Sequence, residues 1–311
     1  MESIRYHVIQ GNFRLYNSKT NKVDRIYKVR EYTDYLTKKW EEHYYPGRKI
    51  SVDETIIPYT GKFPGFTVYI KNKPINKGFL VYDIADPRNG YLLRAEIYSG
   101  KERRNDNGIV MDRTIRLLEK YLDKGHITYA DNFYTSIELV QYLSSRNTGY
   151  VGTLRYNRDK ARDLDSGMKK GDCRYFKTSA YPNLLLTLWW ETKIVKTLSN
   201  CIRPKIVFYN TIRKIPGGTH YKESPLVLKE YSQNAKGVDR ANNLAATYRN
   251  IHRTSKWWHP IFMYYMTVVL NNSYAIYKYN RLKKHKIAAE SIPSNMKYEH
   301  VFMTRKRYIF V

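Results

Sequence analysis

The sequence predicts a mixed α/β fold, a central sheet with flanking helices, and three observations carry that expectation. Short apolar runs of strand length come first, strand–helix alternation follows, and polar residues stand at the strand ends. In sheets of this kind, functional sites gather at the carboxyl ends of parallel strands.

Within residues 1–48, Val29–Tyr44 reads as an amphipathic helix, because Tyr32, Leu36, Trp40 and Tyr44 recur at four-residue steps. Pro46-Gly47 stops it. Residues 49–154 then carry the first part of the sheet. Ile50–Pro58, Phe66–Ile70, Phe79–Ile84 and Tyr91–Tyr98 read as strands divided by turn residues, and loops this short make neighbours antiparallel. Ile109–Leu122 returns to a helical period. Ile127–Ala130 is a short apolar strand ending at Asp131, Ser136 caps a helix running to Arg146, and Gly149–Leu154 is the next strand. Residues 155–228 read as a β-rich insertion, with a polar basic stretch over Arg155–Lys177, a hairpin over Leu184–Trp190 and Ile194–Leu198, a strand at Lys205–Asn210, and the turn Pro216-Gly217-Gly218. Residues 229–290 rejoin the core, helical from Val238, with Trp257–Lys286 as one long aromatic-rich helix. Residues 291–311 form a tail.

Composition narrows the function classes. With 311 residues and 42% hydrophobic content the chain has ample material for a core, so it is not a disordered tail. Lys and Arg number 55 against 28 Asp and Glu, a formal charge of +27, and such an excess attracts polyanions, nucleic acid first among them. Cys173 and Cys201 are too few for a disulfide framework or a Cys-rich zinc site, and a reducing intracellular setting is expected. Met1–Gln10 has no apolar core of a signal peptide, and Ile261–Leu270 is about half the length of a membrane span. His7, His126, His252 and His259 show no metal spacing.

Three acids stand where sheets do chemistry. Asp53 lies inside an apolar strand, where an unpaired charge is costly. Asp131 closes the Ile127–Ala130 strand, and Asp239 follows Lys236-Gly237-Val238 near a helix start. Phosphodiester cleavage uses such a set, because carboxylate oxygens hold hard cations that clamp the attacking and leaving oxygens of an in-line displacement. The separations, 78 and 108 residues, leave ordinary alternatives open: a turn aspartate, a lysine pair, a helix N-cap.

The words around the acids resemble the piggyBac family of transposases. Ser51-Val52-Asp53-Glu54 with Tyr59-Thr60-Gly61-Lys62 is similar to the family's first catalytic block, and Tyr69 through Lys73-Pro74 to Lys77-Gly78 is similar to the hairpin after it. Gly90-Tyr91 and Tyr98-Ser99-Gly100-Lys101 follow in family order. Ile127 through Ser136 resembles the second block, Val151-Gly152-Thr153-Leu154-Arg155 the segment behind it, and Trp189-Trp190-Glu191-Thr192-Lys193 a word of the insertion. Lys236-Gly237-Val238-Asp239-Arg240-Ala241 resembles the third block, and Tyr248 through Trp257 the run that ends it.

The resemblance implies an RNase H-like sheet with the insertion between the second and third acids. It implies Asp53, Asp131 and Asp239 as catalytic residues and as ligands of two Mg²⁺ or Mn²⁺ ions, with Asn242 auxiliary at the place where many relatives carry a fourth acid. It implies a DDD transposase that nicks the ends of an element, forms hairpins on them, reopens them and joins the 3′ ends to TTAA targets. Its partner is then double-stranded DNA, its state a homodimer, its compartment the nucleus, with no membrane association. Lys62, Lys73, Lys101, Arg103, Arg104, Arg155, Arg253 and Lys256 are the cations expected to meet that DNA. The Cys-rich zinc domain and longer N-terminal part common in the family are not in these 311 residues. A transposase-derived protein that binds DNA without cutting it is the alternative.

Overall fold

The computed structural model describes residues 3–17, 23–61, 64–71, 73–100, 108–156, 163–210, 221–247, 254 and 256–285. The first strand, β1 (Lys49–Pro58), is the spine of the sheet. Its start is fixed by Asp86, whose carboxylate accepts from the Gly47 amide at 3.1 Å, the Tyr44 hydroxyl at 2.9 Å and the Arg88 guanidinium at 2.7 Å. On one side β1 pairs antiparallel with β3 (Lys77–Asp86), which in turn carries β2 (Val68–Tyr69) and β4 (Tyr91–Ile97). On its other side β1 pairs parallel with β5 (Ile127–Ala130), and β5 pairs parallel with β6 (Gly149–Thr153). An antiparallel meander continued by parallel strands is the arrangement the sequence order implied.

The insertion lengthens this sheet. From β6 the ladder passes antiparallel to β9 (Ile194–Ser199), then β8 (Tyr181–Trp190), then β7 (Cys173–Thr178). Among the described residues this makes one nine-stranded sheet, beside a separate hairpin of β10 (Ile206–Asn210) and β11 (Tyr221–Pro225). Trp189 is buried and Trp190 half-buried, as alternation along β8 requires.

Helices cover both faces. Residues before β1 give α1 (Ser3–Asn12) and α2 (Arg30–His43); α3 (Ile109–Leu118), continued by a 3₁₀ turn at Glu119–Tyr121, and α4 (Ile137–Ser145) lie between β4 and β6. Ser136 caps α4 by accepting from the Leu139 amide at 3.1 Å. The face opposite α3 and α4 carries α5 (Leu226–Asn234), α6 (Gly237–Thr247) and α7 (His259–His285), and α2 packs against α7 beside β4. Trp40 of α2 stacks on Tyr265 of α7 at 5.3 Å, and Asn272 of α7 holds both backbone groups of Leu92, so the long helix is locked to β4. Trp257 and Trp258 are buried core residues. No described helix is long and apolar enough to cross a membrane.

The β1–β3 contact is unusually close at one point. A Cβ on Gly78 would lie 2.0 Å from the Ile57 carbonyl oxygen. Gly78→Ala must therefore push the strands apart, and overpacking of this kind costs about 1–3 kcal/mol. Thermal unfolding is expected to show a melting point lower by about 2–4 °C for each kcal/mol lost.

Candidate active site

Parallel pairing decides where two of the acids go. Val52 pairs with Ala130 at the last step of the parallel ladder, so Asp53, in the middle of β1, and Asp131, just past the carboxyl end of β5, follow it side by side on the same face. That face is covered by α5 and α6. Asp239 stands in the first turn of α6. The helix can begin this close to β1 because residue 237 is glycine: a Cβ there would meet Ser51 Oγ at 2.1 Å and Pro87 Cα at 3.0 Å.

The three acids reach a common neighbour. Tyr231 on α5 is held above the ordinary tyrosine range by burial and then by the charges of Asp131, Asp53 and Asp239. Asp53 is pushed up to about 8, by burial first and by Glu54 next, with Asp131 adding to it. Asp131 is raised as well, by burial and then by Glu54, while the Phe133 amide, 2.8 Å from its Oδ1, pulls it down. Carboxylates that are buried together in this way resist ionisation until a cation joins them.

Glu54 points to the other face. Its carboxylate accepts from Tyr134 at 3.0 Å and pairs with Lys73 Nζ at 3.0 Å, and Lys73 is the cation that draws down both Asp53 and Asp131. Glu54, Lys73, Asp239 and Asn242 line one end of a cleft of about 820 Å³, which continues between Pro58, Pro74 and Ile75 on one wall and Ala246, Pro260 and Met263 on the other.

The expected DNA cations are scattered more widely. Arg155 donates to Asn132 Oδ1 at 3.1 Å and lies 5.9 Å over the Phe133 ring, directly behind Asp131. Lys73 is engaged with Glu54. Lys256 donates to the Gly11 carbonyl at 2.8 Å and lies 5.6 Å over Trp258, contacts that tie the N-terminal helix region to the start of α7. Lys62, Lys101, Arg103, Arg104 and Arg253 lie outside the described residues.

Among the described residues no three His, Cys, Asp or Glu side chains form a ready-made metal-holding group. The donor chemistry nonetheless fits a hard divalent cation: all three acids offer oxygen, and Asp53 is buried at a cost that positive charge would relieve. Residues that sequence reasoning passed over are Tyr231, Thr55 and Asp83. Asp83 carried a usable signal, an acid in the middle of an apolar strand, the same signal that singled out Asp53.

The raised carboxyl of Asp53 predicts a pH dependence. Its ordinary value is 3.8 and its folded value about 8, so between them the folded chain binds more protons than the unfolded chain. Stability contributed by this group therefore falls as pH rises through that window. In EDTA, Asp53→Asn is expected to raise the melting point over the parent most at pH 8 and little near pH 4–5. A gain of equal size at both ends, by calorimetry, would contradict this environment for Asp53.

Comparison with known proteins supplies the context. The family model described as Transposase IS4 matches residues 1–274. The human piggyBac transposable element-derived protein 3 is 25% identical over 291 residues, covering 89% of this chain and 48% of that protein. The human piggyBac transposable element-derived protein 2 is 23% identical over 276 residues, covering 84% of this chain and 46% of the relative. This chain thus spans about half the length of these curated relatives. A cryo-electron-microscopy structure of a piggyBac transposase synaptic complex with hairpin DNA superposes with a TM-score of 0.78 at 21% identity, over 91% of this chain and 59% of the other. Its fold is the RNase H-like mixed sheet with flanking helices seen here.

Proposed function

The chain belongs to the piggyBac-type transposase IS4 family, and from that premise we propose that it is a DDD transposase catalysing metal-dependent DNA strand nicking, hairpin formation and transfer to TTAA targets. The observation that carries this reading is that Asp53 and Asp131 lie side by side where the parallel β1–β5 ladder ends, with Asp239 on the helix packed over them and Tyr231 within the field of all three.

In this reading Asp53, Asp131 and Asp239 hold two Mg²⁺ or Mn²⁺ ions. When bound, such ions supply positive charge against the phosphoryl oxygens during in-line displacement. The chain's own residues do the rest. Partial burial of Asp53 and Asp131 weakens solvent screening at the site. Lys73 pairs with Glu54, offsets the negative charge around Asp53 and Asp131, and faces the cleft. Arg155, fixed by Asn132 behind Asp131, is placed to bind backbone phosphate next to the scissile bond. The net charge of +27 gives salt-sensitive affinity for double-stranded DNA. A central TA step, easily deformed, suits a TTAA target chosen by shape. We further assign a homodimer acting in the nucleus, with the basic end of α7 around Arg281 as an address for import.

The test is direct. The purified chain, given duplex DNA carrying matched element ends next to TTAA, is expected to yield nicked and hairpin products on denaturing gels with Mg²⁺ or Mn²⁺ and none in EDTA. Firm DNA binding without product in either metal would overturn the reading in favour of a second one, a family member that binds DNA without cutting. That alternative draws on the lack of a ready-made metal-holding group among the described residues. Calorimetry separates the two, since the second expects no uptake of Mn²⁺ at millimolar levels.

A further inference from the structure

Asp83 lies in the middle of β3, has 0% exposure, and faces Asp53 directly in the antiparallel β1–β3 register. Directly opposed residues share a face, so Asp83 sits under α6 and α7, behind the cleft wall. Its Oδ2 is 2.5 Å from Thr55 Oγ1, and the same Oγ1 is 2.9 Å from Oδ1 of Asn242. A threonine hydroxyl owns one proton and cannot donate to two acceptors. Both contacts are satisfied together when Asp83 keeps its proton: the acid donates to Thr55, and Thr55 donates to Asn242. The buried Tyr264 phenol of α7 faces the same carboxyl, yet Oδ1 has no well-aligned hydrogen bond, as suits an uncharged group.

Asn242 follows Asp239 by three residues, so the two share one side of α6, and both line the cleft. We propose that Asp83 is a positioning residue of the acid site: through Thr55 it holds the Asn242 carbonyl inward and so fixes α6, with Asp239, against β1. Asn242 is then a strut whose oxygen is committed to Thr55, and its part differs from that of a cation ligand. What the chain needs at residue 83 is a hydrogen-bonding side chain of this size, not a negative charge. The functional consequence rests on the transposase reading; the structural one does not.

Four variants test the chain of contacts link by link. Asp83→Val and Thr55→Val each break it; Asp83→Asn and Thr55→Ser each keep a polar partner in place. Two readouts are taken on the full chain: hydrogen–deuterium exchange of residues 237–247 without DNA or metal, and the nicking rate in Mg²⁺ resolved into kcat and the KM for DNA. Loss of one buried hydrogen bond is expected to speed exchange and lower kcat about tenfold, with KM changed by less than about threefold. Asp83→Asn and Thr55→Ser are expected to recover most of both. Unchanged exchange over residues 237–247 in Thr55→Val overturns the proposal, and so does an Asp83→Asn protein as impaired as Asp83→Val. Should Asp83→Val fail to fold, the Thr55 pair decides alone. Should the parent chain fail to nick DNA, the transposase reading falls while the exchange comparison still decides the role of Asp83.

Discussion

An Asp53→Ala protein is expected to nick DNA at no more than about a thousandth of the parent rate, because a cation-holding carboxylate supplies several kcal/mol of transition-state stabilisation. Binding should separate from cleavage. DNA affinity arises from the excess of Lys and Arg spread over the chain, so removal of one buried acid leaves it intact or slightly tighter. The fold should also survive, since holding the buried Asp53 carboxyl protonated costs the metal-free protein stability at neutral pH, and its loss removes that cost. The informative result is thus a chain that melts no lower than the parent in EDTA at pH 8, binds the same duplex, and yields no nicked product in Mg²⁺ or Mn²⁺. Unaltered nicking by Asp53→Ala would move the scissile centre away from the β1–β5 pair altogether. Asp131→Ala is expected to behave alike, because the two residues lie side by side where that ladder ends.

Much of this site was legible in the sequence, for reasons that individual residues make plain. Ile127–Ala130 is a short, largely apolar run that ends at an acid, and it forms β5 with those bounds, because a strand buried on both faces needs no polar alternation. The α4 cap was readable because Ser136 has one local job, accepting from the amide three residues on. The C-terminal helix was placed at Trp257–Lys286 and is found at His259–His285. Other elements were not readable. α5 has two and a half turns behind a proline and reaches stability through Glu230, which binds Lys49 at 2.6 Å and Tyr129 at 3.0 Å across the sheet; neither partner is near in sequence. The strand expected over Phe66–Ile70 shrinks to Val68–Tyr69, since only two residues find β3 to pair with. β7 was hidden because it is an edge strand of mixed exposure, with no apolar period to reveal it. Asp83 was passed over although it stands, like Asp53, as an acid inside an apolar strand; its partners Thr55 and Asn242 lie far off in sequence, so only the fold brings out its role.

Gly237 is where sequence, packing and chemistry meet, and Gly237→Ala is expected to have the second largest effect. Helix propensity alone would favour the exchange by about 1 kcal/mol, since glycine is the poorer helix former. Packing opposes it. The new Cβ would stand 2.1 Å from Ser51 Oγ, whose residue is fully buried and whose hydroxyl already donates to the Ala85 carbonyl at 3.2 Å, and 3.0 Å from Pro87 Cα, which is backbone and cannot turn away. Overpacking of about 1–3 kcal/mol therefore outweighs the gain in propensity. Relief comes by shifting the start of α6 outward, and Asp239 moves with it, two residues along the same turn. A displacement of about 1 Å in a catalytic group costs on the order of a hundredfold in rate. The expected protein melts slightly lower than the parent but loses about a hundredfold in nicking, a disproportion that a purely destabilising change would not produce. A second exchange distinguishes displacement from damage. Ser51→Ala removes the 2.1 Å contact and leaves approaches of 3.0–3.1 Å, which small adjustments accommodate. Combined with Gly237→Ala it is expected to recover most of the lost rate, and a double variant as slow as the single one would show that the close approach of α6 to β1 does not set the position of Asp239.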